Sequence, residues 1–185
     1  MVRPPDWVKA LSMKPQPDDQ VIARRPGIEI LLVRHHDATR KRRSRAYLIT
    51  WWHRKDFYYG KLHDPTVTTT DIDYHVFIAR QNELGVGALL VARVQHGASW
   101  LKWNRPGSKR PHEPKKRQPR NRPAWKFAFI GVLATRRKRG IARLLLDTAA
   151  THFGTKICEV AWGLPFQPDG EKLVRRLCPG GFWSG

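Results

Sequence analysis

Cysteine is scarce in this sequence of 185 residues, which holds only Cys158 and Cys178. Both stand in or near apolar stretches and neither has the spacing of a metal-ligand set. A disulfide-rich secreted scaffold and a structural zinc site are therefore excluded. We expect both thiols to be reduced and buried, as in a cytoplasmic protein.

Long hydrophobic runs are also absent. No run approaches the roughly 20 apolar residues that span a bilayer. The first 20 residues carry prolines and aspartates where a signal peptide would have its apolar core. These absences predict a soluble, cytoplasmic protein that uses no membrane, and the length suits one domain with its own core.

Acidic residues are few. The chain has 35 Lys and Arg against 15 Asp and Glu, a net charge of +20. Such a field concentrates polyanions and speeds their encounter, so nucleic acid is the natural partner. The alternative is that the charge only keeps the protein soluble.

The N-terminal part divides into an arm and the start of a domain. Prolines punctuate residues 1–27, which predicts an irregular arm, and residues 28–185 form a single domain. Strands are predicted at residues 28–33 and 46–52, joined by a basic connection that includes Arg42 and Arg43. Two strands around such a connection suggest a hairpin with a basic tip, where Arg42 and Arg43 are predicted to contact nucleic acid, and a solvated loop is the alternative.

Two further strands are predicted at residues 73–80 and 86–94, around a turn at residues 81–85. Before them, residues 51–59 interleave aromatic and basic side chains. That composition can stack on bases while neutralising phosphates, although half of these rings must face the core if the stretch is a strand.

A long basic loop is predicted over residues 97–124, inserted before the central strand. The prolines at positions 106, 111, 114 and 119 exclude a long regular element, and Glu113 is the only acid of the loop. Nucleic-acid contacts are predicted here for Lys109, Arg110, Lys115, Lys116 and Arg117. Trp100 and Trp103, near its start, either stack on bases or pin the loop to the domain.

Residues 125–154 predict a strand, a tight basic turn and a helix. Residues 125–134 are almost continuously apolar, which indicates a buried strand. Downstream, a period of 3.6 residues predicts a helix that ends at Gly154; the periodic positions are Ile141, Leu144, Leu145, Thr148, Ala149 and His152. The turn between them leads into the helix start, where unpaired backbone amides can bind a phosphate. A glycine there lets the phosphate approach closely.

The pattern Arg137-x-x-Gly140-x-Ala142 resembles the pyrophosphate-binding motif of the GNAT acyl-CoA N-acyltransferases, with Ala134 as a mild departure. The last part of the chain fits this resemblance, with a strand predicted at residues 157–162, a short helix at 169–177 and the pair Gly181-Phe182. The resemblance implies an α+β fold with a mixed, mostly antiparallel sheet flanked by helices. It also implies binding of acetyl-CoA or another acyl-CoA and transfer of the acyl group to an amine.

By this resemblance the central strand meets the pantetheine and the thioester carbonyl, and the turn meets the pyrophosphate. The implied cofactor-binding residues are Ile130, Val132, Leu133, Arg137, Lys138, Arg139, Gly140, Ile141 and Ala142. Attack requires a neutral amine and hence a base. Period two places Asp73 and His75 on one face of a strand, and Glu159 is the further candidate.

Two departures from the family pattern matter. The tyrosine that often protonates the leaving thiolate is missing, with Val174 at its place, so Cys178 or Ser184 substitutes, the thiolate leaves without an acid, or transfer is lost. The sequence also stops at Gly185 about one strand early. The final hairpin is then incomplete or supplied by a partner chain, as in a homodimer.

Three functions remain open at this point. The first is an acyltransferase whose acceptor amine lies on nucleic acid, either a DNA base or aminoacyl-tRNA. The second is an acetyltransferase for small molecules or protein amines with an incidental basic surface. The third is a catalytically inactive scaffold that binds nucleic acid.

Overall fold

The computed structural model describes residues 12–34, 74–94, 97–103, 123–164 and 166–185. These ranges contain eight strands: β1 (Val21–Arg25), β2 (Ile28–Arg34), β3 (Tyr74–Gln81), β4 (Leu84–Arg93), β5 (Ser99–Leu101), β6 (Trp125–Val132), β7 (Ala161–Trp162) and β8 (Phe182–Ser184). They also contain two α-helices, α1 (Ile141–His152) and α2 (Pro168–Leu177).

All eight strands belong to one sheet in the order β1-β2-β3-β4-β6-β7-β8-β5. Neighbours are antiparallel except at β6–β7 and β7–β8, which are parallel. The predicted α+β architecture with a mixed, mostly antiparallel sheet is confirmed. β2 is paired with β1 on one side and β3 on the other; its predicted hairpin partner at residues 46–52 lies outside the described residues.

β3 and β4 form the predicted hairpin. Its turn is Asn82-Glu83, with φ of 49° and 59°. Two consecutive positive φ values are typical of the turn type that matches the right-handed twist of paired strands. Asparagine tolerates this conformation well, whereas glutamate adopts it only because the flanking ladder imposes it.

The N-terminal prediction is wrong at its end, because Val21–Arg25 is a strand and not part of an irregular arm. The segment before β1 is held by an ionic cluster. Arg80 of β3, 5% exposed, donates to Asp19 and to Glu29, with Nη2 2.6 Å from Glu29 Oε2. A buried guanidinium needs such partners, and here they fasten residues 12–20 to the sheet.

Helix α1 packs on β3, β4 and β6 through a stripe that is shifted from the predicted one. Its buried residues are Ile141, Leu145, Leu146, Ala149 and Ala150, whereas the predicted Leu144 and Thr148 are only half-buried and His152 is exposed. Gly87 permits the close approach, since a Cβ there would lie 3.1 Å from Ile141 Cγ2. The period was right and its phase was wrong by about one residue.

The predicted basic loop is wrong at its start. Ser99–Leu101 forms β5, which pairs antiparallel with β8 at the edge of the sheet. Trp103 is 9% exposed and donates from Nε1 to the Cys178 carbonyl at 3.1 Å, with the Arg175 guanidinium 4.1 Å from its ring. Of the two alternatives for Trp103, pinning is the one found; residues 104–122 lie outside the described residues.

The strand predicted at residues 157–162 is reduced to Ala161–Trp162, because Ile157–Glu159 forms a 3-10 turn. Cys158 on that turn is exposed, which corrects the prediction that both cysteines are buried; Cys178 is buried and both are free thiols. The predicted helix is confirmed as Pro168–Leu177, with Pro168 in its first turn.

Candidate functional site

β6 and β7 diverge after a short parallel pairing. They pair only at Lys126 with Ala161 and at Phe127 with Trp162, and the Gly163 amide then donates to the Phe127 carbonyl at 2.9 Å. β6 nevertheless runs on to Val132, paired with β4 on its other side. Within the described ranges no strand pairs with this side of β6 beyond Phe127, so the sheet opens there.

The open edge carries backbone groups of Ile130 and Val132. Residues of an antiparallel strand point their N–H and C=O alternately toward and away from the partner. Leu133 donates to the Val86 carbonyl at 3.0 Å and so points toward β4. The alternation turns Val132 and Ile130 away from β4, and Arg137 Nε reaches the Val132 carbonyl from that side at 3.1 Å.

Leu133 differs from these two residues. Its amide is used by Val86 and its carbonyl accepts from the Arg136 amide at 2.8 Å. Leu133 therefore contributes no backbone group to the open edge, and its predicted contact with the cofactor stays a prediction.

A β-bulge lies at the point where the sheet opens. Leu90 pairs with Phe129 and Val91 with Phe127, so Ala128 is the extra residue in β6. Gly163 approaches closely here, since a Cβ would lie 3.1 Å from the Ala128 carbonyl oxygen. Bulges bend a strand and re-aim its groups, and this one directs the following residues of β6 away from β7.

The turn after β6 leads into the start of α1, where none of the described side chains forms a capping hydrogen bond. Ala134–Arg136 is a 3-10 turn, Lys138 has φ of 61° and Gly140 caps α1 with φ of 78°. No side chain caps the helix, and the first backbone bond back to the cap is from the Leu144 amide to the Gly140 carbonyl. The first helical amides, at Ile141, Ala142 and Arg143, therefore lack intrahelical acceptors and face outward with the positive end of the dipole.

The charged residues of the turn before this helix start are all positive. Arg136, Arg137, Lys138 and Arg139 follow one another, and the last three are exposed. Arg143, on the first turn of α1, is neutralised by Asp147 at 2.7 Å. A Cβ built on Gly140 would meet no atom of the described residues within 4 Å, which leaves room for a ligand beside these amides. Together, the strand edge suits an extended amide-bearing chain and the helix start suits a diphosphate.

Of the predicted bases, His75 does not lie at this edge. His75 lies in β3, separated from β6 by β4, which is about 10 Å at the usual strand spacing. It is 9% exposed and packs against Trp125 and Phe153, with ring centroids at 5.3 and 5.1 Å. Asp73 lies outside the described residues.

Glu159 is exposed on the 3-10 turn. It accepts from the Lys156 amide and the Thr155 hydroxyl, both at 3.1 Å, and these bonds lower the pKa of its carboxyl below the usual value. A carboxylate with a lowered pKa is a poor base near neutral pH. These observations do not favour Glu159 as the general base.

Val174, at the place of the missing tyrosine, and the candidate substitute Cys178 are both buried. Val174 is 1% and Cys178 2% exposed, and burial raises the pKa of the Cys178 thiol to about 11. Ser184 lies half-buried in β8. The nucleic-acid candidates Arg42, Arg43, Lys109, Arg110, Lys115, Lys116 and Arg117 all lie outside the described residues.

Sequence reasoning missed the aromatic cluster at the other end of α1. Trp125 and Phe153 stack at 4.2 Å, and His152 lies 5.7 Å from His75. Desolvation first, and then the positive charge of Arg34, lower the pKa of His152. The available signal was an aromatic residue directly before the predicted C-cap glycine, which is typical of a capped helix end.

Searches against family models and curated protein sequences each found no match. Solved structures do match. A structure of the xEco2 acetyltransferase domain aligns with a TM-score of 0.70 at 18% identity, covering 92% of this chain and 98% of that one. A second structure of that domain, bound to a CoA conjugate, aligns with a TM-score of 0.69 at 18% identity, over 91% and 97% of the two chains.

The chain has a GNAT fold. At this identity the likeness concerns the fold, and it confirms the architecture that the motif around Gly140 implied. In the part of the chain that the structure describes, no helix is both long and apolar enough to cross a membrane.

Proposed function

We propose that this protein is an acyl-CoA-dependent N-acyltransferase, with acetyl-CoA as its donor. The observation that carries the proposal is the continuity of the open β6 edge with the uncapped start of α1. The edge offers backbone groups of Ile130 and Val132 to the pantetheine amides, and the amides of Ile141 and Ala142 donate hydrogen bonds to the pyrophosphate oxygens. The CoA conjugate bound to a GNAT-fold neighbour supports this donor.

The chemistry is direct transfer in a ternary complex. The amine nitrogen bonds to the thioester carbonyl carbon, the C–S bond breaks, and CoA leaves as a thiolate that takes up a proton. An outward N–H on β6 stabilises the oxyanion that forms on the carbonyl oxygen. The amine proton passes to a base, for which Asp73 and His75 stay predictions; His75 reaches the β6 edge only through a relay.

For the acceptor, the proposal is an amine carried by nucleic acid. The support is the charge: donor binding uses the cations of a single turn, whereas the whole chain has an excess of 20. An incidental basic surface on a small-molecule or protein acetyltransferase is the competing function.

The proposal is tested by incubating the purified protein with acetyl-labelled CoA and pools of tRNA, single- and double-stranded DNA, protein and small amines. Label in a nucleic-acid pool supports both halves of the proposal. Label only in protein or small amines retains the transferase and overturns its acceptor. If CoA binds and no pool takes label, the protein is a donor-binding scaffold and not a transferase.

A further inference from the structure

A row of side chains crosses the sheet at the level where β6 and β7 still pair. Trp100 of β5 lies opposite Trp183 of β8, and the strand register continues the row inward. Paired residues on neighbouring strands point to the same face. In order, the row is Trp100, Trp183, Ala161, Lys126 and Ala92.

This face is the one turned away from α1 and α2, the two helices of the described ranges. The residues next to the two tryptophans, Leu101 and Phe182, point the other way and are 6% and 0% exposed in the core that α1 and α2 cover. Because side chains alternate along a strand, Trp100 and Trp183 face outward, and both are only half-buried.

The two rings are held in place. They meet edge to face, with centroids 5.2 Å apart and an interplanar angle of 70°. A Cβ on Gly181 would come within 2.7 Å of Trp100 Cζ2, so that ring lies directly on the Gly181 backbone. An aromatic surface that is already ordered loses little conformational freedom when a ligand stacks on it.

Positive charge accompanies the rings. Lys126 is half-buried in the same row, two strands from Trp183. Ala161, which stands between them, is 0% exposed and lies beside Gly185. Lys102 follows β5 directly and is exposed. No acidic side chain stands in the row. Aromatic faces beside cations suit unpaired bases on a phosphate backbone.

From this row we propose that Trp100 and Trp183 form a stacking surface for single-stranded nucleic acid, with Lys126 neutralising the backbone. The occupant is nucleic acid and not a peptide or a second copy because the face combines rings with cations in a chain of net charge +20. The inference deepens the acceptor side of the proposed function and rests on it only for the link to acyl transfer. The surface lies on the sheet face opposite α1, so acyl-CoA and the nucleic-acid strand approach the sheet from different faces.

The test measures fluorescence anisotropy of fluorescein-labelled oligo-dT and oligo-U 20-mers with the full chain, without acyl-CoA. Trp183→Leu keeps an apolar edge pair but removes the ring, and we expect about 10-fold weaker binding, as for loss of one stacked base. Trp183→Phe keeps a ring and retains most of the affinity. Lys126→Gln lowers the slope of log affinity against log salt by about 1, whereas Trp183→Leu leaves that slope unchanged.

The proposal is overturned if Trp183→Leu binds as the wild type does, or if Trp183→Phe loses as much affinity as Trp183→Leu. It is also overturned if a duplex binds as tightly as the single strands, because paired bases are not free to stack. Trp183-dependent dimerisation without any change in oligonucleotide affinity would identify a second copy as the occupant instead. Since no donor is present, this outcome is independent of the acetyl-transfer result, and the oligo-dT and oligo-U arms separate DNA from RNA.

Discussion

Helix α1 starts and stops at a glycine with positive φ, 78° at Gly140 and 62° at Gly154. Among the residues that the structure describes, no atom lies within 4 Å of a Cβ built on either glycine. The C-terminal end is closed by the chain itself: Gly154 donates to the Thr151 carbonyl and Thr155 to the Ala150 carbonyl, the two bonds of a Schellman motif.

The N-terminal end receives no such closure. No side chain caps it, and the residues before it are cations. The same residue type in nearly the same conformation therefore ends the helix at one position and leaves amides for a ligand at the other. What differs is which neighbouring backbone supplies partners, and that difference marks the candidate site.

The largest expected effect comes from exchanging the two glycines for glutamate separately. Gly140→Glu places bulk and negative charge at the proposed diphosphate position, so we expect CoA affinity to fall on the order of 100-fold. Gly154→Glu carries the same left-handed strain at the closed end and changes CoA affinity less than about 2-fold. Calorimetric titration with CoA measures both.

The two variants should rank in the opposite order by folding stability: Gly154→Glu, which has the smaller effect on CoA affinity, should be the less stable. A carboxylate is favoured at a helix N-terminus and disfavoured at a C-terminus by about 0.3–1 kcal/mol. Gly154→Glu is therefore expected to have the lower melting temperature. Equal CoA affinity in the two variants would remove the helix start as the diphosphate site.

The next prediction concerns Gly163, where β7 leaves β6. In Gly163→Ala the new Cβ lies 3.1 Å from the Ala128 carbonyl, which costs about 1–3 kcal/mol and shifts the open edge. We expect a lower melting temperature and about 10-fold weaker CoA binding. Gly170→Ala in α2 meets nothing within 4 Å and should raise stability by about 0.5–1 kcal/mol without changing CoA affinity. Unchanged binding in Gly163→Ala would show that the parting of the strands does not shape the donor site.

A smaller effect separates two arginines near the helix start. Arg137 bonds to a carbonyl on the open edge, whereas Arg143 is paired with Asp147. We expect Arg137→Gln to weaken CoA binding about 5-fold at low salt and Arg143→Gln less than 2-fold, because a paired charge contributes less to an anion. Titrations at two salt concentrations measure this, and equal effects would contradict the pairing.

The smallest effect is a pH dependence at the closed end. Burial and Arg34 lower the pKa of His152, although a helix C-terminus alone would favour its charged form. The unfolded chain therefore binds more protons than the folded one below about pH 6.5, and folding stability falls as the pH drops through that range. Melting temperatures between pH 7.5 and 5.5 should fall less for His152→Gln than for the wild type. Parallel slopes would exclude His152 as the cause.

Much of the region around the site was predictable because it is local. The apolar run before Arg136, the basic turn and the glycines at both helix ends are signals within 30 residues, and each was found at its position. The contacts of Ile130 and Val132 with the pantetheine were proposed only through the family resemblance, and they stay predictions. The cofactor roles of Arg137, Lys138 and Arg139 stay predictions that the variants above test.

The errors have one physical origin. β1 and β5 were read as irregular because three to five residues carry little periodicity, and both became strands through pairing with β2 and β8. Glu159 was placed on a strand because Ile157–Glu159 is apolar enough for one, yet it folds as a 3-10 turn. Strand pairing depends on distant partners that local patterns do not contain.

Taken alone, the sequence determined the strand-turn-helix around Gly140 and the surplus of positive charge, since backbone propensity, glycine conformation and charge are properties of short segments. The fold class was predicted through the family resemblance of that segment. Tertiary structure alone decided that β7 leaves β6 after Phe127 and that the Leu133 amide donates to Val86 of β4. It also decided that Trp100 of β5 lies opposite Trp183 of β8. Those outcomes depend on register between strands far apart in the chain, and register is set by packing the whole sheet.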